Sequence, residues 1–301
     1  MMFTQLFVAI RGLVFFCKKQ CTSLFGSRCL SVIAAIGIVV AGTAQAIVIR
    51  HDVASAEYEQ FASQFRGVAT FWGNYQGKAS VEGTGTLIAG SWILTAAHVA
   101  NVLKPGAKVQ IGADIYWVKR CVRHPDWRDQ QFANDIALVE LTTTTSFSEW
   151  PELYTQADEQ GMVLTFVGQG DSGNGVQGVT IVDSKMRAAT NQVIQAEGQW
   201  LRFRFDQGAS ALPLEGISGP GDSGGPALLK KDGRWYLVGV SAWQNAEATQ
   251  WQQGRYGVIE NYSRVSHHVD WIRQVMAGTT ENPAAAVNSK KAAAPLSAEV
   301  K

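Results

Sequence analysis

A chain of 301 residues, 46% hydrophobic and 17% charged, has the make-up of a globular protein and can bury one large core or two small ones. With 26 Lys and Arg against 25 Asp and Glu, its net charge of +1 excludes the electrostatic footprint that nucleic acid or an anionic surface requires. No internal repeat marks a solenoid, so neutral peptides or proteins are the expected partners.

The first 46 residues read as a signal peptide or signal anchor. Arg11, Lys18, Lys19 and Arg28 lead into the apolar run from Leu30 to Ala41, and Thr43-Ala-Gln-Ala46 fits a small-x-small cleavage pattern. The run is shorter than the ~20 residues that comfortably span a bilayer, which favours export with removal after Ala46. A secreted or periplasmic protein with no stable membrane association follows from that. Cys17, Cys21 and Cys29 fall in the leader. Cys121 is then without an intramolecular partner and is expected as a buried apolar residue.

The middle of the chain reads as short strands with Gly, Asn and Asp between them: Gly67–Trp72, Gly85–Gly90, Lys108–Ile111, Ile115–Lys119, Met162–Gly168 and Trp235–Ala242. The pattern is all-β, with the polar stretch Thr155–Gly161 as the boundary between two halves. Val265–Met276 carries apolar residues at helical spacing, Val265, Val269, Ile272, Val275 and Met276, with Ser266 as its cap. His267 and His268 open this helix; adjacent residues point apart, so they read as solvent-facing and not as metal ligands. Residues 278–301, rich in Ala with Pro283, Pro295 and scattered Lys, read as a disordered tail.

Chemistry concentrates in Gly219-Pro-Gly-Asp-Ser-Gly-Gly-Pro226. The glycines keep Cβ atoms away from the Ser223 hydroxyl and allow the N–H groups of Gly221 and Ser223 to converge as an oxyanion hole. A serine hydroxyl is a weak nucleophile and needs a base with an orienting partner. His98, in Trp92-Ile-Leu-Thr-Ala-Ala-His-Val99, and Asp135, in Asn134-Asp-Ile-Ala-Leu-Val-Glu-Leu141, supply both in the chain order His, Asp, Ser.

Leu-Thr-Ala-Ala-His, Asn-Asp-Ile-Ala-Leu and Gly-Asp-Ser-Gly-Gly-Pro, in that order, resemble the motifs of the trypsin/chymotrypsin-like serine proteases. Smaller matches are Gly83-Thr-Gly-Thr-Leu-Ile88, His124-Pro125 and Asn261-Tyr-Ser-Arg-Val265, so the likeness spans Ile47 to Met276. It implies an all-β fold of two six-stranded antiparallel barrels, about residues 47–158 and 159–265, followed by a helix over 266–277, with the site in the cleft between them. The implied activity is a serine endopeptidase acting on protein or peptide, with no cofactor and no metal. The alternative is a catalytically silent homologue that serves as a protein-binding module, and the oligomeric state is open. Gly221-Asp-Ser-Gly-Gly225 also satisfies the Gly-x-Ser-x-Gly of an α/β-hydrolase, but the sequel reads as strand, turn, strand where that fold needs a helix.

The chain departs from the family in instructive places. Val99 and Gly83 stand where animal members carry a disulfide, and Gly219 replaces a further cysteine. Ile47-Val48 resembles the amino terminus that activated members insert beside the aspartate before the nucleophile, here Asp222, although Ile49 and Arg50 replace two glycines. Removal of the leader would then complete the site; the alternative is an ordinary first strand. For the substrate pocket the resemblance selects Ile217, Ser218, Ser241, Trp243 and Glu260. Ile217 replaces the acid of members that cut after Lys or Arg, while Glu260 falls at a floor position or else in a solvated loop. Trp243 would narrow the entrance, and Ser241 is expected to support the buried aspartate.

Overall fold

A computed structural model describes residues 47–128, 132–250 and 252–278; the expected leader and tail lie outside the described residues. In chain order the elements are β1 (Ile47–Ile49), α1 (Ser55–Ala62), β2 (Val68–Tyr75), β3 (Lys78–Ala89), β4 (Trp92–Thr95), α2 (Ala97–Val102), β5 (Lys108–Ile111), β6 (Asp114–Arg123) and β7 (Ala137–Leu141). They continue with β8 (Glu152–Leu153), β9 (Val163–Gly168), β10 (Ser172–Asn174), β11 (Gly178–Ile181), β12 (Arg187–Glu197), β13 (Trp200–Arg204), β14 (Gly216–Ile217), β15 (Pro226–Lys231), β16 (Arg234–Asn245), β17 (Ile259–Arg264) and α3 (Val265–Met276).

Strands β2 to β7 close into an antiparallel barrel in the order β2-β3-β4-β7-β6-β5. Six others close into a second, β15-β9-β12-β13-β17-β16, completed by the β15–β16 pairing, with β8 added in parallel beside β16. Closure leaves no unpaired edge in either ring, which is how short strands become stable without staples. Phe71, Leu87, Leu94, Val109, Val118 and Leu138 fill the first barrel. Leu164, Phe166, Val193, Leu201, Phe203 and Tyr262 fill the second, and each such side chain contributes about 1.5–3 kcal/mol by leaving water. Along β3, Gly83 to Ile88 are buried in unbroken succession, where an exposed strand face would alternate. That end of β3 is covered on both faces, its outer side by the second barrel.

Several expectations need correction. The first strand belongs with the second half of the chain: β1 lies between β10 and β14 in a four-stranded sheet, and the α1 helix, unforeseen in the sequence, buries Tyr58 and Ala62. β8 likewise sits with the second barrel, so the boundary precedes Glu152. Ser266 does not cap α3; its hydroxyl donates to Glu159 at 2.6 Å, and helix dihedrals begin at Val265. His268 faces inward, 3% exposed, while His267 is exposed. From Val265 the next turn can place either residue 268 or 269 on the buried stripe, and periodicity cannot choose between them. Cys121 is half-buried, with burial pushing its thiol up to about 11.

Candidate active site

β4 runs out into Thr95-Ala-Ala-His, where small side chains let the second barrel come close. Nothing as large as a methyl group fits between Gly224 and Thr95–Ala96. This contact brings the Ser223 loop against the residues just before His98. The His98 backbone N–H donates to Asp135 Oδ1 at 2.9 Å, and Nδ1 of the ring lies 2.7 Å from Asp135 Oδ2. The aspartate is fully buried, whereas the His98 side chain is 29% exposed. A carboxylate only accepts, so it fixes the proton on Nδ1 and leaves Nε2 with its lone pair.

Asp135 owes its place to the turn before β7. Asn134 takes φ +53°, a conformation asparagine tolerates better than most residues. The Asp135 carbonyl accepts a hydrogen bond from Ser263 Oγ at 2.7 Å, tying this first-barrel residue to β17 of the second. Sequence reasoning assigned such support to Ser241. Its hydroxyl instead lies with Ser218 and Glu260, so the serine reaching Asp135 is Ser263, which carried no distinguishing signal.

Ser223, partly exposed, sits in a loop stitched to both barrels. Thr84 on β3 donates its N–H to Ser223 O at 2.8 Å and its hydroxyl to Gly221 O at 2.9 Å, while Gly224 N–H donates to Ser241 O at 2.8 Å. Gly221 holds φ +93°, which side-chain-bearing residues rarely adopt, and this turn positions the loop. Thr84 belongs to the Gly83-Thr-Gly-Thr-Leu-Ile88 match, yet no role was expected of it.

Behind the loop, Asp222 is fully buried. Its Oδ1 accepts Gly170 N–H at 2.7 Å, and its Oδ2 accepts Gly219 N–H at 2.8 Å and Ile47 N–H at 3.2 Å. Burial pushes this carboxyl up to about 7, opposed by those three hydrogen bonds. Ile47 therefore lies beside Asp222 as the resemblance implies, and β1 is also an ordinary strand.

The residues expected around the substrate pocket divide. Ser218 Oγ is 3.1 Å from Ser241 Oγ and 2.9 Å from Tyr262 OH. Ser218 N–H donates to Glu260 Oε2 at 3.0 Å and Ser241 Oγ to Oε1 at 3.3 Å. Glu260 is a strand residue, 1% exposed, which corrects the solvated-loop alternative. Burial, then the nearby Asp222 charge, pushes its carboxyl up to about 7, against the hydrogen bonds from Ser218 and Ser241. Ile217 faces away, into an apolar cluster with Val48, Phe205 and Val258, so its side chain belongs to the core. Trp243 is half-buried, stacked on Phe132 with centroids 5.5 Å apart and edge-on to Trp200.

Two closed antiparallel barrels thus bring a histidine, a buried aspartate and a glycine-flanked serine loop into one region. The Trypsin family matches residues 65–272, and the chain belongs to that family. Over 214 residues it is 27% identical to coagulation factor XI of Bos taurus, covering 64% of this chain and 33% of that protein. Tryptase of Mus musculus is 28% identical over 228 residues, 67% of this chain and 79% of tryptase. Mannan-binding lectin serine protease 1 of Homo sapiens is 28% identical over 230 residues, 64% of this chain and 31% of that protein. The chain thus spans about a third of two of these relatives and most of the third.

Proposed function

We propose that the chain is a serine endopeptidase in which His98, Asp135 and Ser223 act as a triad. His98 Nε2 takes the Ser223 proton as the hydroxyl attacks a peptide carbonyl, and later returns it to the departing amine; water then resolves the acyl-enzyme. Asp135 holds the imidazole tautomer and stabilises its cation. The N–H groups of Gly221 and Ser223 receive the developing oxyanion, where loss of one donor typically costs ~10²–10³ in turnover. The supporting observation is the 2.7 Å contact between His98 and a fully buried Asp135, beside a serine loop held by Thr84.

Ser218, Ser241 and Glu260 form the floor of the pocket for the residue before the scissile bond, with Trp243 at its rim. Removal of the leader after Ala46 frees the Ile47 amine to become a cation beside Asp222. Two observations support this reading. Among the described residues Asp222 is held by backbone N–H groups and not by a cation, and Ile47 holds φ +52°, a strain that vanishes once no residue precedes it. The freed protein acts on protein or peptide after export; among the described residues no helix is long and apolar enough to cross a membrane.

Reaction of the processed protein with a fluorophosphonate probe tests the central assignment. Covalent labelling that disappears in Ser223→Ala is the expected outcome. A folded protein whose Ser223 stays unlabelled would support the silent binding module.

A further inference from the structure

The mechanism makes no use of Arg187, the largest of the fully buried side chains among the described residues. Its guanidinium, on β12, donates from Nε to Ser55 Oγ at 2.9 Å and from Nη2 to Glu59 Oε1 at 2.9 Å, so it grips two residues of α1. Its remaining donors reach Asp183 Oδ1 at 3.2 Å, Asp183 Oδ2 at 3.1 Å and Lys185 O at 3.4 Å. Lys185 Nζ adds a second cation 3.3 Å from Glu59. A second grip lies nearby: Tyr58, also fully buried, donates to Glu215 O at 3.0 Å and accepts Arg50 N–H at 3.3 Å, and Arg50 Nη1 donates to Leu212 O at 2.9 Å.

These contacts matter because β1 is only three residues long. Its pairing with β10 and β14 supplies few ladder bonds, too few to hold an entering chain end against its lost freedom. The buried side chains of Ile47, Val48 and Ile49 add to that pairing, and the helix that follows within a few residues adds a further anchor. Releasing α1 would strip Arg187 of Ser55 and Glu59, a loss of charge-assisted bonds that leaves Asp183 as its carboxylate partner. Asp183 would still balance the guanidinium, so the barrel survives the release.

We infer that Arg187 is a positioning residue: by clasping α1 through Ser55 and Glu59 it delivers Ile47 to Asp222, and through Asp222 it sets the Gly219–Ser223 loop. This rests on the reading that the Ile47 amine completes the site. The grip multiplies the docking constant of residues 47–62, and that constant has a pH signature. A free α-amine titrates at about 7.7–8.0, and docking that requires its cation moves the alkaline limit of activity upward by the logarithm of the docking constant. Each tenfold loss of docking moves that limit down by about one pH unit.

The test uses the chain from Ile47 to Lys301, which contains both closed barrels and every described element. Hydrolysis of a peptide ester would be followed from pH 7 to 10.5 for this chain, for Glu59→Gln, Arg187→Lys and Arg187→Met, and for a chain beginning one residue earlier at Ala46, with thermal unfolding as a check on folding. The expected result is an alkaline limb in the parent, lowered by about 0.5–1 pH unit in Glu59→Gln and Arg187→Lys and further in Arg187→Met. The fall in kcat/KM should be greatest at high pH, which a general loss of stability would not produce. If Arg187→Met does not fold, the two milder variants carry the test. A limb that stays in place in the folded variants overturns the clasp and leaves the Ile47 reading intact. Full activity of the Ala46 chain with no alkaline limb in either form removes that reading, and the clasp with it.

Discussion

At the level of single residues, Glu260 carries most of what is distinctive about the proposed pocket. A carboxylate enclosed by two serine hydroxyls, a tyrosine and one backbone N–H is costly to ionise unless a cation arrives, so burial raises it to about 7. A lysine or arginine entering from a substrate would supply that cation. The carboxyl is mostly neutral below about pH 7 and mostly ionised above it, so preference for basic over apolar residues before the scissile bond should rise with pH through that region. Cleavage profiling of a peptide library at pH 6 and pH 8.5 checks this. Glu260→Gln should lose the basic preference by about 10–100-fold and lose its pH dependence. A profile unchanged in the variant would remove Glu260 from substrate recognition. The sequence placed this residue in either of two environments, because a lone Glu near a strand end looks the same in both; strand pairing with β13 and β16 selects the buried one.

Among the elements, α3 has the clearest pH liability. His268 packs against His124 with ring centroids 5.2 Å apart and against His267 at 4.9 Å, and its Nε2 has no hydrogen-bond partner among the described residues. Burial first, then these two imidazoles, push it down to about 3, while an unfolded histidine titrates near 6.5. The folded form therefore binds fewer protons than the unfolded one between those values. Stability is intact above about pH 6.5 and declines as pH falls from there toward 3. Between pH 7 and pH 5 the loss due to this one group is about 2 kcal/mol. Thermal unfolding across that range should show a steep decline in the parent and a shallower one in His268→Phe; equal slopes would mean that another group is responsible. The sequence revealed that α3 exists and where it ends, but not which side of it is dry.

Over the whole molecule, the proposed catalysis depends on two separately closed barrels meeting in register, and β3 provides the seam. Thr84 binds both Gly221 O and Ser223 O, so a first-barrel strand ties down the Ser223 loop of the second. Thr84→Val keeps the N–H bond and loses the hydroxyl bond to Gly221 O. The expected cost is about fivefold in kcat/KM, with little change in the circular dichroism spectrum, as one hydrogen bond of roughly 1 kcal/mol would give. An unaltered kcat/KM would show that the loop keeps its shape without this tie.

The candidate chemistry was legible in the chain alone: Leu-Thr-Ala-Ala-His, Asn-Asp-Ile-Ala-Leu and Gly-Asp-Ser-Gly-Gly-Pro are local patterns, because a tight turn, a strand head and a glycine-rich loop each depend on neighbours in the chain. The chain also announced strands throughout and a final helix, since period and turn residues are local as well. Long-range contacts were needed to settle that Ser263 and not Ser241 reaches Asp135, that Ile217 turns into the core, and that Ile47 to Ala62 packs with the second half of the chain, β1 in a small sheet with β10 and β14. Those outcomes depend on which surfaces are removed from water and on which buried donor finds which acceptor. Both are set by contacts between residues far apart in the chain, to which no short stretch of sequence is a witness.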